Sequence, residues 1–145
     1  MSEGRVAAAT DLVLAVFRIN GLLLAAGDDL AGREGLTSAR WQVLGAVALA
    51  DRPPSVPQVA RRMGLKRQSV QMSVNRLVAD GMLAASANAE HRRSPVFALT
   101  ERGATAYARL SGDQEAWIGR LTEGLSVADL AAASRVLREI AGRLA

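Results

Sequence analysis

Apolar residues at Leu12, Val16, Ile19, Leu23 and Ala26 step by four and three along the N-terminal stretch, the period of an amphipathic helix. The spacing predicts a helix from about Arg5 to Ala26, with Gly27 as its stop. Leu22 and Leu24 lie off that stripe, so the helix is expected to touch more than one layer. The C-terminal stretch repeats the pattern. Leu130, Ala133, Leu137, Ile140 and Leu144 again step by three and four, and Ser126 followed by Asp129 resembles the start of a capping box. Two long helices with such stripes are more than a small central core requires. They point to a subunit interface built from residues of about 5–26 and 112–145, against the simpler reading in which both cap the core of a monomer.

Shorter elements lie between them. Thr37 is placed to cap a helix through about Leu49, with Trp41, Leu44, Val47 and Ala48 inward, and the run Asp51-Arg-Pro-Pro54 breaks it. Ser55 with Gln58 is a second capping-box pattern and opens a short helix, Val56–Met63, ended by Gly64. After Leu65 another helix follows, with Val70, Val74, Leu77 and Val78 as its apolar stripe and Asp80-Gly81 as its close. Two short extended runs, Met82–Ala87 and Val96–Leu99, flank the polar stretch Asn88 to Ser94 and read as a hairpin. The first is poor in β-branched residues and the second begins after Pro95, which suits an edge. Thr100 and Glu101 then start a helix that runs past Tyr107 to Trp117.

Composition narrows the class. The chain has 145 residues, 50% apolar and 22% charged, with 13 glycines and 4 prolines, which fits one compact domain or one protomer of a small oligomer. It has no cysteine and a single histidine, His91, so disulfides, thiolate chemistry and iron–sulfur clusters are excluded and no metal or other cofactor is expected. The longest uncharged run, Trp41 to Ala50, is half of the roughly 20 residues that span a bilayer. No membrane span and no signal peptide are expected, and the chain reads as a soluble cytoplasmic protein. Catalysis would need a nucleophile, base or metal cluster at motif spacing. Asp28-Asp29, His91 and scattered serines supply none, so an enzyme is not expected.

The net charge of +4 is unevenly spread. Residues 51–110 hold ten basic against four acidic side chains, and the remainder holds eight against ten. A basic middle between near-neutral flanks is the expected footprint of a module facing a polyanion. Within that middle, a short helix, a Gly turn and a second helix over Ala60-Arg-Arg-Met-Gly64-Leu have helix-turn-helix character. A small residue at Ala60 lets the helices approach, and Gly64 allows the backbone conformation of the turn. The following hairpin carries Arg92 and Arg93, which suit a narrow, electronegative minor groove.

Four stretches together resemble the MarR (multiple antibiotic resistance regulator) family of bacterial winged-helix transcription factors. They are Leu36-Thr-Ser-Ala-Arg-Trp-Gln-Val-Leu44, Gln58-Val-Ala-Arg-Arg-Met-Gly-Leu65, Val74-Asn-Arg-Leu-Val-Ala-Asp-Gly-Met-Leu83, and Glu90-His-Arg-Arg93 with Leu99-Thr-Glu-Arg-Gly103. The resemblance implies a mainly α fold with a small β-hairpin wing. Residues 1–145 form a single domain, with a winged helix-turn-helix over 37–103 and dimerisation regions over 1–36 and 104–145. It also implies a homodimer that represses transcription from a pseudo-palindromic operator in double-stranded DNA.

Helix geometry assigns the roles. With Val70, Val74 and Leu77 inward, the side chains left to face DNA are Arg67, Gln68, Ser69, Gln71, Met72 and Asn75. Arg67 suits guanine, Gln68, Gln71 or Asn75 suit adenine, and Ser69 suits phosphate. Arg61, Arg62 and Arg76 suit phosphate or intramolecular pairing. Two positions depart from the family pattern. Lys66 stands where a Ser or Thr cap is usual, which costs about 1 kcal/mol of helix stability and adds a phosphate contact. His91 stands in the wing where an Asp commonly orients the tip arginine, leaving Glu90 as the replacement for Arg93. The family often binds small aromatic or phenolic effectors in a crevice between the dimerisation helices and the winged helix, and Phe17, Arg40, Trp41, Tyr107 and Trp117 are the candidates to line it. The competing reading is a helical interaction protein of the same fold that has lost DNA binding.

Overall fold

The computed structural model describes residues 2–145, and six helices and one hairpin follow in the expected order. Helix α1 (Glu3–Gly32) continues through Gly27, the predicted stop. The reason is tertiary. Gly27 is buried against the next helix, where a Cβ would lie 2.5 Å from Ser38 Oγ, so this glycine permits a close crossing and leaves the helix intact. The neighbouring Asp28 accepts the Ser38 backbone N–H at 2.7 Å, satisfying one of the orphan donors at the start of that helix. Termination falls instead to the turn at Gly35, after which the Leu36 N–H returns to Ala31 O.

Helix α2 (Ser38–Ala48) is capped by Thr37, whose hydroxyl accepts the Arg40 N–H. Its buried apolar side chains are Val43, Leu44 and Val47, while Trp41 and Ala48 are only half-buried. Helix α3 (Val56–Met63) carries both halves of the capping box, Ser55 with Gln58, as predicted. Helix α4 (Arg67–Ala79) buries Val70, Val74 and Leu77, but Val78 is exposed, because the core meets only the narrower stripe. Strands β1 (Leu83–Ser86) and β2 (Val96–Leu99) pair antiparallel, Leu83 opposite Leu99. A bridge between Ser55 and Val96, with the Phe97 N–H on Pro54 O, ties the hairpin to the entry of α3. Thr100 Oγ1 donates to Gly81 O and accepts the Gly103 N–H, so the end of the hairpin and the start of α5 (Glu101–Leu121) are held by one hydroxyl. Ser126 caps α6 (Val127–Leu144) through the Asp129 N–H.

Two compact units result, the first ending at Gly112 and the second comprising Asp113–Ala145. The core of the first is formed by Leu44, Leu77, Leu83 and Leu110 with Val43, Val59, Val70 and Val74, all nearly solvent-free. Each such side chain contributes on the order of 1.5–3 kcal/mol on burial, and α2, α3 and β1 pack against one side of α4 and leave its opposite face to solvent.

By length and composition α1 is apolar enough to cross a bilayer, the one such helix among the described residues, a test that the core helix of a soluble protein also passes. Counting uncharged runs misses it because Asp11 and Arg18 are seven residues apart and share one stripe, so they interrupt the sequence without interrupting the apolar surface. On that surface Leu14, Phe17 and Leu22 are 60–72% exposed. Helix α6 buries no residue fully.

Candidate nucleic-acid interface

The turn between α3 and α4 is built by backbone geometry. Gly64 takes φ +65°, its N–H reaches Arg61 O, and the Leu65 N–H reaches Ala60 O. The left-handed glycine followed by that longer bond is a Schellman ending. Ala60 is buried beneath it, which lets α4 leave close to α3. Lys66 then occupies the N-cap in extended conformation with no side-chain cap. The missing hydroxyl is therefore not replaced by the Lys66 side chain.

Opposite the buried stripe, Lys66, Arg67, Gln68, Ser69, Gln71, Met72 and Asn75 lie on the solvent side of α4. Met72 is 69% exposed, an uncommon setting for a large apolar side chain at the middle of a polar helix face. Gln71 Nε2 donates to Asn75 Oδ1 at 2.8 Å. Their four-residue spacing is the helical signal for such a pair, and weighing each amide singly against a base edge misses it. Arg76 Nε pairs with Asp80 Oδ2 at 3.1 Å, the intramolecular partner expected for it. Arg61 and Arg62 are exposed and make no ion pair among the described residues.

The wing comes close to the helix. Arg67, Gln68 and Gln71 from α4 share a cavity of about 290 Å³ with Arg93, Ser94 and Pro95, so the fold brings the N-terminal half of α4 and the wing arginine together. A larger cleft of about 960 Å³ lies between the segment before α3, α3 itself and the wing, with Arg52, Arg61, Arg62 and His91 on its wall beside Asp51 and Glu90. In the wing the Ser94 N–H closes a turn on His91 O, and Asn88 Oδ1 accepts the Glu90 N–H. His91, Arg92 and Arg93 are exposed. Among the described residues neither wing arginine has a carboxylate partner, Glu90 included.

The comparisons with known proteins decide the family. Residues 34–94 match the sequence profile of the MarR family, the span that holds the helix-turn-helix and most of the wing. An uncharacterised protein of Mycobacterium tuberculosis is 40% identical over 129 residues, covering 89% of both chains. The chain belongs to the MarR family of transcription regulators. The transcriptional activatory protein BadR of Rhodopseudomonas palustris is 26% identical, over 89% of this chain and 75% of that one. Among solved structures, CouR of Rhodococcus jostii bound to p-coumaroyl-CoA superposes with a TM-score of 0.81 at 23% identity, covering 92% of this chain and 93% of that one. A mutant MarR of E. coli complexed with operator DNA superposes with a TM-score of 0.79 at 17% identity, covering 90% and 93%. These likenesses establish the winged-helix fold.

The five positions suggested by the family's effector crevice are dispersed in character. Trp41 and Tyr107 are half-buried and pack on the central core, with the Tyr107 ring against Gly45. Phe17 is exposed on α1, and Trp117 is half-buried in the second unit. Arg40 is half-buried, and its Nε is shut off from solvent with no hydrogen-bond partner among the described residues. An enclosed guanidinium nitrogen without an acceptor is uncommon.

Proposed function

We propose that the chain is a homodimeric repressor that binds a pseudo-palindromic operator through α4 and the wing and is released by a small aromatic or phenolic effector. The observation that carries the reading is one surface. Arg67, Gln68, Gln71 and Arg93 meet around a single cavity, and among the described residues no carboxylate pairs with the arginines there. Uncompensated guanidinium groups beside exposed amides suit base edges and phosphates together. Lys66 and the uncapped start of α4 add a phosphate contact. Arg92 and Arg93 then enter the minor groove beside the helix.

Dimer formation accounts for the exposed apolar side chains of α1 and the absence of any fully buried residue on α6. Two reading helices related by a two-fold axis meet successive major-groove faces of a palindrome. Effector release draws support from the unpartnered Arg40 Nε, which suits an acidic group, and from the aromatic acyl ligand of CouR.

The test is binding of the full chain to a random-sequence duplex pool at two salt concentrations. DNA binding that weakens steeply with salt, and enrichment of an inverted repeat, are expected. Binding that is absent at low salt would overturn the reading in favour of an interaction protein of the same fold.

A further inference from the structure

The Gln71 side chain is already committed before any DNA arrives. One of its two amide hydrogens is spent on Asn75 Oδ1, at 2.8 Å, on the exposed face of α4. A glutamine amide has two N–H donors and one oxygen acceptor. With one donor used, Gln71 presents a single N–H beside Oε1.

That pair of groups matches one base edge. In the major groove adenine offers the N7 acceptor beside the N6 donor, whereas guanine offers two acceptors, N7 and O6. A guanine at the same place would set O6 against Oε1. A free glutamine can meet both guanine acceptors with its two N–H donors, but here one of the two is spent on Asn75 Oδ1. We propose that Gln71 reads an adenine in each half-site, and that Asn75 is the positioning residue that fixes the amide for it. The inference rests on the DNA-binding reading above and adds the base and the device that selects it. Gln71 also shares its cavity with Arg93 and Pro95 of the neighbouring wing. Preordering also lowers the rotamer freedom lost on binding.

The experiment uses the full-length chain and the duplex it enriches from a random pool. Affinities of the wild type, Gln71→Ala, Asn75→Ala and Asn75→Asp are measured against every single-base-pair variant of that duplex. One A·T pair per half-site should discriminate against G·C by roughly five- to 150-fold in the wild type. Gln71→Ala should bring that ratio to about one and leave the preferences at other positions in place. Asn75→Ala should lower the same ratio selectively. Asn75→Asp, an acceptor with no donor, should keep the adenine-to-guanine ratio while its charge weakens binding to all duplexes. A purely structural role for Asn75 predicts uniform weakening and an unchanged ratio, and would overturn the proposal. So would a Gln71-sensitive pair that is G·C, or an Asn75→Asp variant that loses the ratio as Asn75→Ala does. If the wild type enriches no duplex, the DNA-binding reading fails and this one with it. If it enriches a duplex whose preferences ignore Gln71, this inference alone fails.

Discussion

Arg67 and Lys66 are neighbours in sequence and both exposed, and in the proposed DNA-binding reading their places at the start of α4 give them different work. Arg67 faces the shared cavity beside Arg93, where a forked guanidinium can take guanine O6 and N7. Lys66 sits outside the first turn, where a flexible ammonium meets phosphate. Arg67→Ala should therefore cost about 1–3 kcal/mol and relax the preference at one operator position, while Lys66→Ala should weaken all sequences alike and lower the salt slope by about one. Titrations of both variants on specific and random duplexes at several salt concentrations distinguish the two, and equal losses on both DNAs would refute the assignment. In the wing, Arg92 and Arg93 have no carboxylate partner among the described residues, so in the proposed DNA-binding reading their ordering on binding costs about 0.5–1.5 kcal/mol each. His91→Asp should recover a few tenths of a kcal/mol on operators with A·T-rich flanks by orienting Arg93 beforehand, on the order of the smaller interaction terms for exposed ion pairs. Arg93→Ala should remove that gain. Equal weakening on A·T-rich and G·C-rich flanks would mean that repulsion between the new carboxylate and phosphate dominates.

In the proposed DNA-binding reading, α4 carries a conflict between stability and binding. Its N-cap is the one helix start between α2 and α4 that lacks a hydroxyl acceptor, since Thr37 caps α2 and Ser55 caps α3. Lys66→Ser should restore the cap and stabilise the fold by about 1 kcal/mol. The same change removes a positive charge from the end of the reading helix, so DNA affinity should fall while the melting temperature rises. Thermal denaturation and anisotropy on one preparation test both halves. A variant that gains stability without losing affinity would show that Lys66 does not touch phosphate.

For the whole molecule, the apolar surface of α1 calls for a cover. Nine large apolar residues between Val6 and Leu24 are substantially exposed on it, far more than isolated surface leucines would present. A dimer interface of more than about 2,000 Å² with an apolar character is the expected cover. Sedimentation at micromolar concentration should give a dimer, and Leu23→Glu should shift it toward monomer and weaken operator binding with it, because each protomer then holds one half-site alone. A stable wild-type monomer would contradict the homodimer.

The sequence by itself determined what depends on neighbours within a few residues. Thr37, the Ser55 and Gln58 pair, Gly64, Asp80-Gly81 and Ser126 act where the local pattern predicts, because a cap or a left-handed turn is closed by backbone groups three to five positions away. The exposed face of α4 followed from the same local period once Val70, Val74 and Leu77 were set inward. Only the tertiary structure decided the rest. Gly27 was legible as a stop, yet Ser38 packs against it and the helix continues, and Asp28 caps a helix ten residues away. Val43, not Trp41, fills the core of α2, and Val78 falls outside it. The wing's closeness to Arg67 and Gln71 also required the fold, since Arg93 lies more than twenty residues beyond them in sequence. Such contacts depend on which surfaces meet in space, and a period along one helix carries no information about the element that approaches it.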